Sequence, residues 1–139
     1  MHCDFCNLLA NGDAAIAWSN PRLVVFADHR PIREGHMQIV PRAHVEVFDD
    51  LAPDLAAEII HLGQRIAKAQ KRLYGVDRVG FVFTGNEVPH VHAHVLPLHA
   101  ADDITSARFR EHRAGGRIAL RQQRRVAQDL AEALGAPIL

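Results

Sequence analysis

The stretch His90-Val91-His92-Ala93-His94-Val95-Leu96 decides how this 139-residue chain folds. Its histidines alternate with small or β-branched apolar residues, which is typical of a strand, where side chains at i, i+2 and i+4 share one face. We therefore expect His90, His92 and His94 to line one side of a sheet while the alternate residues pack into the core. Three imidazoles in a row are hard to explain as packing, and histidine serves near neutral pH as base, nucleophile or metal ligand.

A single metal ion is a poor explanation for the whole row. A strand rises about 3.3 Å per residue, so the Cα atoms of His90 and His94 are expected roughly 13 Å apart. Zinc holds its nitrogen ligands at about 2.0–2.1 Å. Two neighbours in the row can share an ion, but at least one histidine is left for other work. The middle residue, His92, has an imidazole on each side, which is the position of an activated nucleophile.

The composition indicates one globular domain in which histidine is the outlier. Hydrophobic residues make up 48% and charged residues 23% of the chain, and ten residues are histidine. This length and balance are enough for a buried core. Sixteen basic residues balance sixteen acidic ones, so charge gives no reason to expect nucleic acid or a membrane as a partner. With no visible signal peptide or bilayer-spanning stretch and only two cysteines, we expect a cytoplasmic protein.

The remaining patterns predict an α+β architecture, an antiparallel sheet of about five strands with one long helix and a helical tail. Pro53 and Gly75 bracket apolar residues at three- and four-residue steps, which predicts the long helix. The histidine row is the fifth predicted strand. The other predicted elements are a hairpin of 14–18 and 23–26 around Ser19-Asn20-Pro21, strands at 37–40 and 79–84, and a tail helix at 117–134 after a break at Gly115-Gly116.

The chain resembles the histidine triad (HIT) family of nucleotide-binding proteins. Residues 90–96 satisfy the family signature His-φ-His-φ-His-φ-φ, where φ is apolar. Upstream, Gly35-His36-Met37-Gln38-Ile39-Val40-Pro41 resembles the family's Gly-His-x-φ-φ-φ-Pro strand, and the Cys-x-Phe-Cys at Cys3 occurs in many bacterial members. The resemblance covers residues 1–104, which we take as the histidine-triad domain, and 105–139 as an arginine-rich helical extension of it.

The resemblance implies a hydrolase that cleaves at the α-phosphate of a purine nucleotide or nucleotide conjugate, such as a phosphoramidate or a dinucleoside polyphosphate. In the family the middle histidine, here His92, attacks phosphorus and forms a covalent nucleotidyl-histidine, which water then hydrolyses. The resemblance also implies a homodimer and no organic cofactor. The other residues to which it gives roles are His94, His90 and His36 in the catalytic cluster, Asp28 on the ribose, and Phe5, Leu8, Phe26 and His29 around the base.

Purely structural roles remain possible interpretations for several of these residues. Phe5, Leu8 and Phe26 are equally well explained as ordinary core, and Asp28 as a residue that forms a turn. A nucleotide-binding regulatory module with vestigial chemistry is the alternative to the enzyme, and a zinc hydrolase that uses the histidine row as ligands is a third hypothesis.

The sequence departs from the family just before the row. Many members read Gly-Gln-Ser/Thr-Val-x-His, with an amide and a hydroxyl that touch phosphate. This chain has Asn86 and Glu87 at those positions. A carboxylate beside an anionic phosphate repels it unless it is protonated or turned away, so Glu87 either orients a histidine, protonates the leaving group or changes the preferred leaving group.

Cys3 and Cys6 have the spacing of two zinc thiolates. The same spacing also occurs in redox motifs, and two unpaired thiols at a chain end remain an alternative. Related bacterial proteins complete such a site with two histidines that correspond here to His44 and His90. The resemblance thus implies a structural Zn²⁺ held by two cysteines and two histidines.

The tail and the remaining histidines carry weaker signals. Seven arginines lie between Arg108 and Arg125, a charge run that is usually a solvated face but can also meet polyphosphate or a partner chain. We expect His2, His29, His61, His99 and His112 to be ordinary surface or partly buried residues, with His99 able to reach the site and His29 also the base-slot residue named above.

Overall fold

The computed structural model describes residues 2–107 and 118–135. In it the chain forms two compact units, Met1–Ile104 and Thr105–Leu139. The first unit holds one antiparallel sheet of five strands in the order β1-β2-β3-β5-β4. The strands are β1 (Ile16–Ser19), β2 (Leu23–Ala27), β3 (Met37–Pro41), β4 (Arg78–Phe83) and β5 (Ala93–Leu98), and the helices of this unit are α1 (Asp4–Asn11) and α2 (Pro53–Tyr74), with a 3₁₀ turn at Phe48–Asp50.

The predicted hairpin and long helix are confirmed, and local chemistry explains both. Asn20 makes the hairpin turn, because its side-chain oxygen accepts hydrogen bonds from the backbone N–H groups of Arg22 and Leu23. Helix α2 has a proline in its first turn and ends at Gly75, whose φ of 64° is left-handed. The sheet is antiparallel throughout, as predicted.

Helix α2 packs closely on one face of the sheet. A Cβ at Gly63 would lie 2.5 Å from the Phe81 ring of β4, so only glycine lets the helix approach there. The core on this side gathers Leu55, Ile59 and Leu62 of the helix with residues from the middle of the sheet. The opposite face carries a second, smaller cluster of Cys3, Phe5, Val24, Phe26 and Val40.

The strand that carries the histidines is shorter than predicted. It begins at Ala93, so only His94 of the three lies within β5. The backbone before Ala93 turns away from β3, because the Val91 N–H donates to the Val45 carbonyl instead. The alternation nevertheless holds: Val91, Ala93 and Val95 pack into the first core cluster, while His90 and His92 are buried on the other side.

Two further differences concern the ends of the chain. Helix α1 was not predicted; the sulfur of Cys3 accepts a hydrogen bond from the Cys6 N–H at its start, so the predicted metal ligand is also the helix cap. In the second unit, α3 (Leu120–Leu134) begins later than predicted, and the break at Gly115-Gly116, His112 and the arginines at 108–117 lie outside the described residues. None of the helices in the described ranges is long and apolar enough to cross a membrane.

Candidate functional site

The ring of His90 is fully buried and both of its nitrogens have partners. Nε2 lies 2.7 Å from the carbonyl oxygen of Pro41, at the end of β3. A carbonyl only accepts, so this nitrogen carries the proton and Nδ1 is left with a lone pair. Nδ1 lies 3.4 Å from the sulfur of Cys3 and 3.5 Å from that of Cys6. The structure thus turns the acceptor nitrogen of His90 toward two free thiols.

His44 completes a cluster of four donor atoms. Its Nδ1 lies 3.4 Å from the Cys6 sulfur, and the donor atoms of Cys3, Cys6, His44 and His90 all lie within 4.8 Å of one another. A tetrahedral zinc ion with bonds of about 2.3 Å to sulfur and 2.05 Å to nitrogen separates its sulfur and nitrogen ligands by about 3.5 Å. The observed separations match that value, so these residues fit a tetrahedral zinc ion.

The opposite nitrogen of His44 is buried and has no hydrogen-bond partner, although the Glu46 carboxylate is 3.6 Å away. The His44 nitrogen and the Glu46 oxygen are thus in contact, but their separation is slightly too long for a hydrogen bond. We regard Glu46 as a near neighbour that can orient His44, as carboxylates behind metal-bound histidines commonly do.

His92 faces a different environment from that of His90. Its Nδ1 lies 2.8 Å from the carbonyl oxygen of His90, so Nδ1 carries the proton and Nε2 keeps its lone pair. The Phe5 ring meets the imidazole edge-on at 4.9 Å between centroids and holds its plane. His92 is only 5% exposed, and it belongs to neither group of clustered metal-ligating side chains in the described ranges.

His94 pairs with His36, the residue just before β3. Nε2 of His36 lies 2.8 Å from Nδ1 of His94. Two nitrogens on one tetrahedral zinc ion would be about 3.3 Å apart, so this separation indicates a shared proton rather than a metal site. The carboxylate of Asp28 stands beside the pair, 3.5 Å from His36 and 3.9 Å from His94.

The backbone decides which way that shared proton points. The N–H of Ile32 donates to Nδ1 of His36, so Nε2 of His36 carries a proton and donates to Nδ1 of His94. His94 then holds its own proton on Nε2, as a hydrogen-bond donor. Burial, and next the neighbouring His92 and His36 imidazoles, lower the pKa of His94 to about 4, so the pair is neutral at pH 7.

Asp28 is already well supplied with hydrogen bonds. One oxygen accepts from the Arg30 N–H and the other from the amide of Gln38 at 2.7 Å. Burial raises its pKa, but these hydrogen bonds and the nearby histidines outweigh burial and keep the pKa below its usual value. Asp28 is therefore an anion at neutral pH, with lone pairs still available to a ligand hydroxyl.

The predicted base-slot residues do not all come together. Phe5 and Phe26 are buried and meet edge-on at 5.7 Å, which agrees with the core interpretation while leaving Phe5 against His92. Leu8 is partly buried beside them, and His29 is exposed. His2, His61 and His99 are exposed as well.

His92 also lines a cavity of about 280 Å³. Asn86, one of the two residues that depart from the family pattern, lines it; Glu87, the other, is exposed and is not among the lining residues. The remaining wall comes from the segment after His44 and from the end of β4.

Two glutamines at the site were not singled out from the sequence. Gln38 donates to Asp28, and Gln70 of α2 donates to the backbone carbonyls of Gly35 and Val95. Gln70 thereby joins the residues that flank His36 and His94. In the sequence, both glutamines are polar residues at positions where the pattern predicts burial. Gln38 lies inside an apolar strand, and Gln70 lies four residues after Ile66 on the apolar face of the long helix.

Comparisons with known proteins point to one domain family. The profile of the HIT domain matches residues 10–101. An uncharacterised HIT-like protein of Mycobacterium tuberculosis is 32% identical over 144 residues, which covers 93% of this chain and all of that protein. A bis(5'-nucleosyl)-tetraphosphatase (asymmetrical) of Schizosaccharomyces pombe is 27% identical over 82 residues, 55% of this chain and 45% of its own length.

Solved structures share the fold. A HIT family protein of Bacillus anthracis superimposes with a TM-score of 0.79 at 21% identity, covering 95% of this chain and 96% of its own. A zinc-bound histidine triad protein of Mycobacterium smegmatis does so with a TM-score of 0.66 at 27% identity, covering 76% and 81%.

The depressed pKa of His94 predicts acid-sensitive folding. Its pKa is about 4 in the folded chain, against an ordinary value of 6.5. At a pH between these two values, His94 is protonated in the unfolded chain but not in the folded one. Its contribution to the free energy of unfolding is therefore complete above pH 6.5 and is lost as the pH falls to about 4. We expect urea unfolding of the His94→Asn variant to show a weaker pH dependence across this window than that of the native chain.

The matched control is His61→Asn on the exposed face of α2, which should leave the pH dependence as in the native chain. If the difference curve between native chain and His94→Asn is flat from pH 7 to 4, the neutral His36–His94 pair is contradicted.

Proposed function

The chain belongs to the histidine triad (HIT) family, and from this premise we propose that it is a nucleotide hydrolase that acts through a covalent nucleotidyl-histidine on His92. The substrate class is a nucleoside monophosphate joined at its α-phosphate to a leaving group, either a phosphoramidate or a dinucleoside polyphosphate, with a purine as the base. Family membership and the tetraphosphatase relative support a hydrolase or transferase.

The observation that carries this proposal is the hydrogen bond from His92 to the carbonyl of His90. It leaves Nε2 unprotonated, so the lone pair needed for attack on phosphorus is present in the resting protein. The His90 carbonyl also accepts from Nδ1–H when the ring gains positive charge on forming the adduct. No other base is needed to activate the nucleophile.

His94 supplies the second function that phosphoryl transfer needs, which is stabilisation of charge on the phosphate oxygens. The chain of donors from Ile32 through His36 leaves the Nε2–H of His94 as a donor toward the ligand side. The ring meets an anionic phosphate as a neutral donor, because its Nδ1 already accepts from His36. His90 and His36 act on these two rings rather than on the substrate.

Asp28 is the proposed ligand of the ribose hydroxyls, because it stays ionised and retains free lone pairs. Phe5 and Phe26, with Leu8 beside them, would offer the base an apolar surface, and His29 would close it from the exposed side. Asn86 would donate to a phosphate oxygen or to the leaving group from the cavity wall. Glu87, which is exposed, is left with an indirect electrostatic influence.

Trapping the intermediate tests the proposal. The native chain mixed with radiolabelled adenosine 5'-phosphoramidate should carry label after acid-free quenching, and should release AMP. His92→Gln should bind the nucleotide but form neither adduct nor product, with a loss of at least about 10³-fold in kcat. His61→Ala, on the exposed face of α2, is the matched control and should retain full activity.

The rival function, a nucleotide-binding module with vestigial chemistry, draws on the replacement of the family's amide and hydroxyl by Asn86 and Glu87. It would prevail if the native chain binds nucleotide yet yields neither adduct nor AMP. Equal turnover by the native chain and His92→Gln would contradict the covalent mechanism.

We further propose that Cys3, Cys6, His44 and His90 hold a structural Zn²⁺. The match of their spacing to a zinc tetrahedron and the zinc-bound relative of M. smegmatis support this. Bound zinc would supply charge to hold the two thiolates and would tie helix α1 to the residues that lead into β5. Because the four side chains would fill the coordination sphere of the ion, no coordination position would be left for substrate.

Metal analysis tests the zinc site. We expect about one zinc per native chain and none in Cys6→Ser, whose melting temperature should fall as it does for the native chain after chelation, because metal binding adds to folding free energy. Asn7→Ser on the same helix is exposed and should keep its metal. A zinc-free native chain with an unchanged melting temperature would contradict the site, and metal-free protein that stays folded and fully active would exclude a catalytic metal.

We also propose that the protein is a cytoplasmic homodimer. Two cysteines placed as metal ligands rather than in a disulfide suit a reducing compartment. In the described sheet β4 is paired on one side only, by β5, and an apolar cavity lies between it and α2, lined by residues such as Ile60, Ala67 and Val79. A second copy joined at this edge would satisfy the free backbone groups. Sedimentation should show a dimer that Ile60→Lys, at an exposed residue of this cavity, converts to a monomer; a monomeric native chain would contradict it.

A further inference from the structure

The cavity beside His92 is lined by acidic and aromatic side chains. Glu46 and Asp49 contribute carboxylates, Phe48 and Phe83 contribute rings, and Asn86 contributes an amide. In the described part of the chain, the lining includes neither lysine nor arginine. His92 is one of its walls, so a group bound here would be attached to the phosphorus that this ring attacks.

The two rings form a surface suited to a cation. Phe48 and Phe83 lie 5.6 Å apart between centroids, with planes inclined by 37°. Phe48 is 59% exposed although it is a large apolar side chain. Aromatic faces attract ammonium groups through their negative charge density. The negatively charged carboxylates nearby attract the same cation.

We propose that Glu46 and Asp49 select the charge of the leaving group, so that the substrate is a nucleoside 5'-phosphoramidate whose amine carries a second, positively charged ammonium group. This inference rests on the proposed function and chooses within its substrate class. A dinucleoside polyphosphate would place several negative charges against the two carboxylates, which repel them.

The chemistry balances without any further reactant. Nε2 of His92 forms a bond to phosphorus while the phosphorus–nitrogen bond of the substrate breaks, and its electron pair goes to the departing amine. That nitrogen takes a proton from water, which reaches it through the exposed rim of the cavity at Thr84 and Gly85. The hydroxide left by that water then attacks phosphorus, the bond from phosphorus to Nε2 of His92 breaks, and the nucleoside monophosphate leaves while the lone pair on His92 is restored.

Three substrates of equal size test the inference. Each is AMP linked through nitrogen to a four-carbon chain, which ends in an ammonium, a hydroxyl or a carboxylate. We expect kcat/KM to fall in that order, with about a tenfold difference between the ammonium and hydroxyl compounds at low salt. The difference should shrink in roughly 0.5 M NaCl, because the carboxylates are exposed to solvent and are screened.

Variants assign the effect to the carboxylates. Glu46→Gln with Asp49→Asn should bring the ammonium and hydroxyl substrates to equal kcat/KM. Asp50→Asn is the matched control, since Asp50 lies in the same 3₁₀ turn and does not line the cavity. Because Glu46 approaches His44, zinc content is measured for each variant, and Asp49→Asn alone should still halve the preference or more.

The outcomes separate this inference from the proposed function. Turnover of all three substrates at one rate by the native chain, or a preference that survives the double variant, overturns the inference and leaves the hydrolase intact. If the native chain turns over adenosine 5'-phosphoramidate or a dinucleoside polyphosphate but none of the three, the inference is overturned and the hydrolase stands. If it turns over none of these compounds, the hydrolase fails, and the dissociation constants of the three substrates then test the cavity: equal affinities overturn the inference, and tighter binding of the ammonium compound supports it.

Discussion

The buried imidazole of His90 is the constraint on which the rest of the site depends. Its Nε2–H donates to the carbonyl of Pro41 at the end of β3, and its Nδ1 faces the two cysteine sulfurs. One ring therefore connects the central strand with helix α1. A buried polar group with both nitrogens satisfied is costly to displace, since loss of one partner leaves an unpaired group worth about 1–3 kcal/mol. The position of the His90 backbone, whose carbonyl accepts from His92, follows from this anchoring.

The three histidines have one spacing but three chemical roles, because each meets a different backbone partner. Carbonyl oxygens force a proton onto Nε2 of His90 and onto Nδ1 of His92, so opposite nitrogens are left with lone pairs. An N–H group, that of Ile32, acts on His36 and through it leaves His94 as a donor. Backbone groups thus determine which nitrogen of each imidazole carries the proton, and no other basic side chain is needed to set these tautomers. Gln70 supports this arrangement from α2 by holding the carbonyls of Gly35 and Val95.

The groups around His92 differ in electrostatic character. The neutral imidazoles of His36 and His94 have Asp28 beside them, while the cavity that His92 lines presents Glu46 and Asp49. In the proposed reaction, the imidazoles would donate to the phosphate oxygens, and the leaving group would meet the carboxylates and aromatic rings of the cavity. The proposed nucleophile would then hold an anion while the adjoining cavity favours a cation, which is consistent with replacement of the family's hydroxyl near the row by the exposed Glu87.

Periodicity by itself determined the sheet, the long helix and the side of the sheet on which the histidines lie, because alternating apolar residues must be buried on one face whatever the chain's partners. The motifs around His36 and His92 determined the family. Only the tertiary structure determined the contacts between residues that are far apart in the sequence. The strand begins at Ala93 because Val91 bonds to Val45. Gln38 and Gln70 reach Asp28 and two carbonyls from elsewhere, and the residues after His44 bring carboxylates beside His92. Local sequence carries no record of these contacts, since each depends on the free energy of bringing remote segments together.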